Sequence, residues 1–289
     1  MNMVLRVFMN SLPLVFASTG ALISEYTGVM AIFTDGIINL SSFLAFACSL
    51  KTGSVTAGCI LAAVISALFI ILAALFTERM KANPFITGIG INLLTGGLIS
   101  ICSEAWFGTK GVLSQATITD AGWPPFPFSG ASVACAGTPA LLFSAAVIAA
   151  LWWALNHTRW GLRTRVTGSS AAVLSARGVN PAFYRISAWG MAGACSAWAG
   201  ILCTLRLSSF VPNVSAGRGW LALAAVFLGK RTMAGTLIAA IVFTAAEYAA
   251  SSFSTSGGII SPTTLLAIPY LAALLLFVLL PEKKNHDRK

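Results

Sequence analysis

Apolar residues run along this chain in long blocks, separated by short polar or glycine-rich breaks. A block of about 17–25 residues with few charges predicts a helix long enough to cross a bilayer. Such blocks cover residues 7–24, 28–50, 54–77, 84–103, 138–156, 186–205, 235–251 and 263–280. The pattern predicts an all-α, polytopic membrane bundle of about eight transmembrane helices. One apolar run is too short. Residues 219–229, if helical, rise about 16 Å, roughly half of a ~30 Å hydrocarbon core. Pro212, Gly217 and Gly219 flank it on one side, and Gly229, Lys230 and Arg231 on the other. This run is expected to be a broken or re-entrant helix, which membranes tolerate only where protein or a wet cavity surrounds the irregular backbone.

Composition agrees. Of 289 residues, 57% are hydrophobic and 9% charged, more apolar surface than a soluble domain of this size hides. The net charge of +10 would suit a nucleic-acid binder. Its positive residues instead gather at span ends and in the tail 281–289, PEKKNHDRK, where the positive-inside rule places them. No nucleic-acid partner is expected. No segment between spans is long enough to fold separately, so residues 1–289 read as a single transmembrane domain. The first apolar run resembles a signal peptide in length, but it contains Pro13 and leads directly into the next block, so it reads as a helix.

Charge also orients the chain. Five of the eighteen Lys and Arg lie between Arg159 and Arg185, with no acid among them. Residues 158–185 are therefore expected to form a cytoplasmic loop, together with the tail 281–289 and the TERMK stretch ending at Lys81. Residues 105–137, rich in Gly, Pro and Thr, are expected to form an extracytoplasmic loop holding a turn or short helix. These assignments agree if the short run reaches the cytoplasmic side at Lys230 and Arg231, which puts the N-terminus outside, although Arg6 favours the reverse.

Within the basic loop, Ser169 or Ser170 suits the cap of a short helix starting near Ala171, with Gly178 as its stop and Pro181 beyond. Val173 and Leu174 are its apolar positions and Arg177 its end. The residues alone allow two readings: a linker helix on the lipid headgroups, or a coupling helix docked on a cytoplasmic ATPase.

Ionisable residues inside spans are costly and mark candidate sites. Asp35 lies in the second block with Asn39 one turn on, and Glu247 lies in the seventh. Either acid reads as a pore-lining group for a polar solute or as a structural partner between helices. In NPFITGIGINLLTGG, Pro84 suits a helix start, while Thr87, Gly88 and Asn92 give that helix a small, polar face. Interhelical hydrogen bonding is the plainer role for Asn92. Gly193, Ala197 and Gly200 make a close-packing face. There is no GxxxxGK[ST] phosphate loop, since the Gly229–Lys230 pair is followed by Arg231 and lacks the upstream glycine. His157 and His286 stand alone, and the six cysteines show no metal spacing. No catalytic residue, metal or cofactor is expected in this chain.

Four blocks resemble the permease subunits of bacterial ABC importers for nucleosides and simple sugars, relatives of the ribose and branched-chain amino-acid permeases. ISEYTGVMAIFTDGI carries Glu25, Gly28, Val29, Asp35 and Gly36. NPFITGIGINLL carries Asn83, Thr87, Gly88, Asn92 and Leu93. The basic loop carries Gly161, Leu162, Arg163, Gly168, Ala171, Ala172, Gly178 and Val179, and continues into Gly193, Ala199 and Gly200. The last block carries Gly217, Arg218, Gly219, Ala222, Ala224, Gly229, Gly235 and Glu247, followed by Pro269 and Tyr270.

The resemblance implies an inner-membrane permease that pairs with a second permease chain, a cytoplasmic ABC ATPase holding the ATP and Mg, and an extracytoplasmic substrate-binding protein or lipoprotein. It favours the coupling reading, with Gly168, Ala171, Ala172, Val173, Leu174, Arg177 and Gly178 facing the ATPase. Gly28 and Gly36 let the backbone beside Asp35 open, and the resemblance implies that this broken second span lies near the translocation path; Asp35, Asn39, Thr87, Asn92 and Glu247 are the candidate substrate-path residues. The expected solute is a purine or other nucleoside, with a simple sugar such as ribose second. The chain departs from the family at Ala31, where Asn is usual, and at Asp35, where Glu is usual. The alternatives from other classes are a self-contained, ion-coupled transporter, which needs paired broken helices in two related halves, and a scaffold or channel subunit.

Overall fold

The computed structural model describes the backbone of residues 3–114 and 130–255, and the side chains of residues 8–114 and 144–249. Among these residues the fold is helical, and its one strand-like pairing is an isolated antiparallel bridge between Leu113 and Phe210. The helices are α1 (Met3–Glu25), α2 (Thr34–Thr52), α3 (Val55–Arg79), α4 (Pro84–Phe107), α5 (Gly130–His157), α6 (Arg159–Ser169), α7 (Ala171–Ala176), α8 (Pro181–Leu207), α9 (Arg218–Leu228) and α10 (Met233–Thr255).

Helix α8 is the hub, packed against α1, α2 and α3. Its small residues make that possible. A Cβ on Gly200 would lie 2.2 Å from the Ile38 carbonyl, and one on Gly193 would lie 2.9 Å from Ile70. Phe16, Phe33, Phe43, Phe46, Phe210 and Phe243 are fully buried around this seam. Three of the described helices, α3, α4 and α8, are long and apolar enough to cross a membrane. The most apolar stretch of α8 is 72% buried within the protein, against 28% for α3 and 22% for α4. The exposed faces of α3 and α4 carry Leu68, Leu72, Phe76, Leu93 and Leu94. Water would not tolerate that face, and lipid suits it.

Most helix bounds follow the apolar blocks, and three differ. The second block is not helical at its start: residues 29–33 are extended or turning, and α2 begins only at Thr34. The extracytoplasmic loop expected over 105–137 is shorter, because α4 runs to Phe107 and α5 starts at Gly130. Helix α5 runs through Pro139, as a membrane helix can when its freed backbone groups find other partners. The basic loop holds a helix that the pattern missed, α6, which buries Gly161, Thr164 and Thr167. No apolar stripe announces it. Residues 115–129, the eighth block 263–280 and the tail 281–289 lie outside the described residues.

One end of the bundle gathers the basic loop with its neighbours. Glu25 pairs with Arg231 at 3.1 Å and Glu78 with Arg185 at 3.5 Å. Arg163 donates to the Tyr184 hydroxyl, 2.8 Å away. Among the described residues, the basic loop, the end of α3 and the Lys230–Arg231 pair thus lie at one end of the bundle. Helix α1 ends there too, and its 23 residues rise about 35 Å, so its first residues lie at the other end.

Candidate functional site

The polar groups that this apolar chain brings together converge on the start of α9. Helix α8 stops at Ser208, which takes a left-handed φ of 49°. The chain is then pinned by the Leu113–Phe210 pairing, with N–O distances of 2.9 and 3.1 Å. It turns through Asn213 (φ 58°), Ala216 (φ 44°) and Gly217 (φ 82°) into α9. Asparagine and glycine tolerate that region. Ala216 does not do so readily, and its neighbours hold it there. The Ser215 amide donates to Asn39 Oδ1 (2.9 Å), Asn39 Nδ2 donates to Ser215 Oγ (2.8 Å), and the Arg218 amide donates to the Ser215 carbonyl (2.8 Å). Asn39, one turn into α2, is the clamp for this loop.

Asp35 performs a second task. A helix start leaves backbone donors without intrahelical partners, and the cap position of α9 is Gly217, which has no side chain to offer. Asp35 Oδ1 accepts from the Gly219 amide at 3.0 Å. The approach requires a glycine: a Cβ on Gly219 would lie 2.4 Å from the Asp35 amide nitrogen. The positive ends of α2 and α9 therefore face one carboxylate, which both helix dipoles favour.

Asn92 on α4 serves the start of α2 in the same way. Its Oδ1 accepts from the Gly36 amide (2.8 Å) and its Nδ2 donates to the Ile32 carbonyl (2.9 Å). One amide side chain thus bridges the non-helical stretch. Thr87 is not brought to this place; it donates to the Asn83 carbonyl within the first turn of α4. Ala31, at the position that departs from the family pattern, is fully buried. Its methyl group packs in the core.

Glu247 joins through Arg218, which the sequence places in the last block without marking it as a path residue. Arg218 donates to the Val214 carbonyl (3.3 Å), and its guanidinium lies 3.9 Å from Glu247 Oε2. Both side chains are about a quarter to a third exposed. Asp35, Asn39 and Glu247 are therefore neighbours around residues 213–219, though they lie in different apolar blocks. The arrangement brings amide, hydroxyl, guanidinium and carboxylate groups together, with the Cys203 thiol 3.8 Å from the Arg218 guanidinium.

The basic loop forms the other half of the site. Thr158 accepts from the Gly161 amide to start α6. Gly168, at its far end, sits directly on the turn after α1, where an added Cβ would lie 2.3 Å from the Tyr26 carbonyl and 2.9 Å from the Gly28 amide. Arg165 stacks over the Tyr26 ring at 4.9 Å. Burial pushes the Tyr26 phenol above its ordinary range, against the opposing pull of Arg165, so it stays neutral. Ser170 occupies the cap position of α7 without a side-chain bond. Ser169 donates instead to the Val166 carbonyl. Gly178, with φ 72°, turns the chain after Arg177. Pro181 opens α8, whose first turn Asn180 caps at 3.0 Å. In α7, Leu174 is buried while Val173 is half exposed. Ala172 and Arg177 are exposed, and Ala171 is partly buried.

The family described as "Branched-chain amino acid transport system / permease component" matches residues 3–280. The chain belongs to this family. It is the permease component of a membrane transport system. The nucleoside ABC transporter permease protein NupC of Lactococcus lactis is 27% identical over 251 residues, which cover 83% of this chain and 79% of that one. The ribose import permease protein RbsC of Escherichia coli is 28% identical over 74% of this chain and 68% of its own length. The guanosine ABC transporter permease protein NupQ of Bacillus subtilis is 25% identical, covering 80% of this chain and 76% of itself. Among solved structures, PsaBC from Streptococcus pneumoniae in complex with Fab shares the fold, with a TM-score of 0.53 at 12% identity over 96% of this chain and 92% of that one.

Proposed function

We propose that this permease is one half of the translocation path of an ATP-driven nucleoside importer. Two relatives that match about four-fifths of the chain carry nucleoside or guanosine in their names. The observation that carries the reading is the polar cluster around the start of α9, where Asn39, Ser215, Arg218 and Glu247 meet inside an apolar bundle. Such groups suit a neutral ligand rich in hydroxyl and amide functions. Ionisable groups such as Arg218 and Glu247 are costly between apolar helices and mark candidate solute or ion paths.

In this reading the chain is a multi-pass protein of the inner membrane, one domain over residues 1–289, with about eight crossings. It works beside a second permease subunit and an extracytoplasmic binding protein that captures the solute. It has no motor: ATP and Mg belong to a separate ABC ATPase, and α7 docks on that ATPase through the outward face bearing Val173. Closure of the ATPase pushes on α6 and α7, and the path opens by small rigid-body shifts of packed helices.

The experiment is uptake in cells lacking this gene, with and without the gene restored. Labelled guanosine accumulation should depend on the gene. Gene-dependent accumulation of ribose in place of guanosine would assign the path to a simple sugar, the class named for the Escherichia coli relative.

A further inference from the structure

The short helix α9 is held at both ends by carboxylates that flank one segment of chain. At its start, Asp35 accepts from the Gly219 amide. Just beyond its end, Arg231 pairs with Glu25 at 3.1 Å. Glu25 and Asp35 bound the non-helical stretch between α1 and α2. That stretch therefore runs antiparallel to α9 and is tied to it twice. The stretch is buried at Val29, Ala31, Ile32 and Phe33, and the Phe33 ring packs on Trp189 at 4.9 Å between centroids. The turn that begins it, Tyr26 to Gly28, is the surface on which Gly168 sits.

We infer that residues 25–35 and α9 move as one clamped unit, with Glu25 and Asp35 as positioning residues that carry a push arriving at Gly168 to the polar cluster. The chemistry of the ties supports this. Glu25 is 93% buried by its side chain's 7% exposure and has one ionic partner, Arg231; its Oε2 has no hydrogen-bond partner among the described residues. Slippage there would leave a buried carboxylate uncompensated. Slippage at Asp35 would take from the Gly219 amide its side-chain acceptor at the partly buried start of α9. Backbone contact between Gly168 and Tyr26 leaves no flexible side chain to absorb a displacement. Contacts thus run without a gap from Gly168 through this strap to both ends of α9.

This inference rests on the coupling reading above, and the test separates the two. The complete importer, reconstituted with its ATPase, carries spin labels at Met30 on the strap, Trp220 on α9 and Leu61 on α3, all exposed positions. Distances are compared without nucleotide and with a non-hydrolysable ATP analogue. The Met30–Trp220 distance should stay constant while Trp220–Leu61 shifts. A Met30–Trp220 distance that changes as much as Trp220–Leu61 would overturn the rigid unit. In the same vesicles, guanosine moved per ATP hydrolysed should fall roughly 5- to 150-fold in Asp35→Ala, the usual range for a lost coupling. Asp35→Asn keeps an acceptor oxygen for the Gly219 amide and should restore the ratio; a ratio still lost in Asp35→Asn, with the complex assembled, would show that this bond does not carry the push. An unchanged ratio in Asp35→Ala refutes the strap alone, provided that Val173→Asp uncouples. An unchanged ratio in Val173→Asp removes the coupling reading itself.

Discussion

The Asp35 carboxylate stands 3.0 Å from the Gly219 amide, so the first turn of one helix caps the first turn of another. Replacing a capping side chain with Ala costs about 0.5–2 kcal/mol. Asp35→Ala should lower the thermal unfolding midpoint of the purified complex by that order, and Asp35→Asn should retain most of the stability. Equal losses in the two variants would show that charge, and not the accepted hydrogen bond, is what α9 needs.

Asn92 makes two bonds to the backbone on either side of the start of α2. Interhelical bonds of this kind contribute roughly 0.6 kcal/mol each, and up to ~1.7. Asn92→Leu should therefore destabilise the complex through loss of both bonds, and Asn92→Asp at least as much, because its second carboxylate oxygen would face the Ile32 carbonyl to which Nδ2 now donates. Denaturation of the purified variants in detergent checks the ranking.

Much of this was legible in the sequence. Long apolar blocks announce helices because lipid allows no other open backbone, and Gly217 with Gly229 marks the short helix because glycine begins and ends it. The break before α2 was signalled by Gly28 and Gly36 beside Asp35. The pairings were not legible. Nothing in the spacing says that Asn39 meets Ser215, 176 positions away, or that Glu25 meets Arg231, since both depend on how helices stack around α8. Helix α6 escaped for a different reason. It buries Gly161, Thr164 and Thr167, small or polar residues that leave no apolar period.

Glycines on this chain divide sharply by what surrounds them. Gly96 and Gly97 on α4 have nothing within 4 Å of an added Cβ, whereas on Gly168 it would strike the Tyr26 carbonyl at 2.3 Å. Replacing an exposed helical Gly with Ala gains about 0.8–1 kcal/mol of helix propensity, while overpacking costs about 1–3 kcal/mol. Gly96→Ala and Gly97→Ala should leave uptake intact. Gly168→Ala should reduce it, and a fully active Gly168→Ala protein would place the loop's contact elsewhere.

Arg231 is more than half exposed, but its partner Glu25 is buried. Arg231→Ala leaves a buried acid without its cation, at a cost of about 1–3 kcal/mol. Adding Glu25→Gln removes the charge that needed compensation, so the double variant should recover part of the unfolding midpoint lost by Arg231→Ala. Simple addition of the two single losses would show that the pair does not interact.

Helix α7 offers the most direct test of the central claim, that this chain borrows its driving force through its basic loop. Val173 points outward and Leu174 inward. Leu174→Asp should disrupt the loop's own packing, while Val173→Asp changes only the surface meant for the ATPase. The decisive measurement is ATP-dependent guanosine uptake by vesicles holding the complete importer with Val173→Asp. The Val173→Asp complex should assemble and lose uptake; full uptake by that variant, or accumulation by vesicles containing this chain without any ATPase, would rule out coupling through the basic loop.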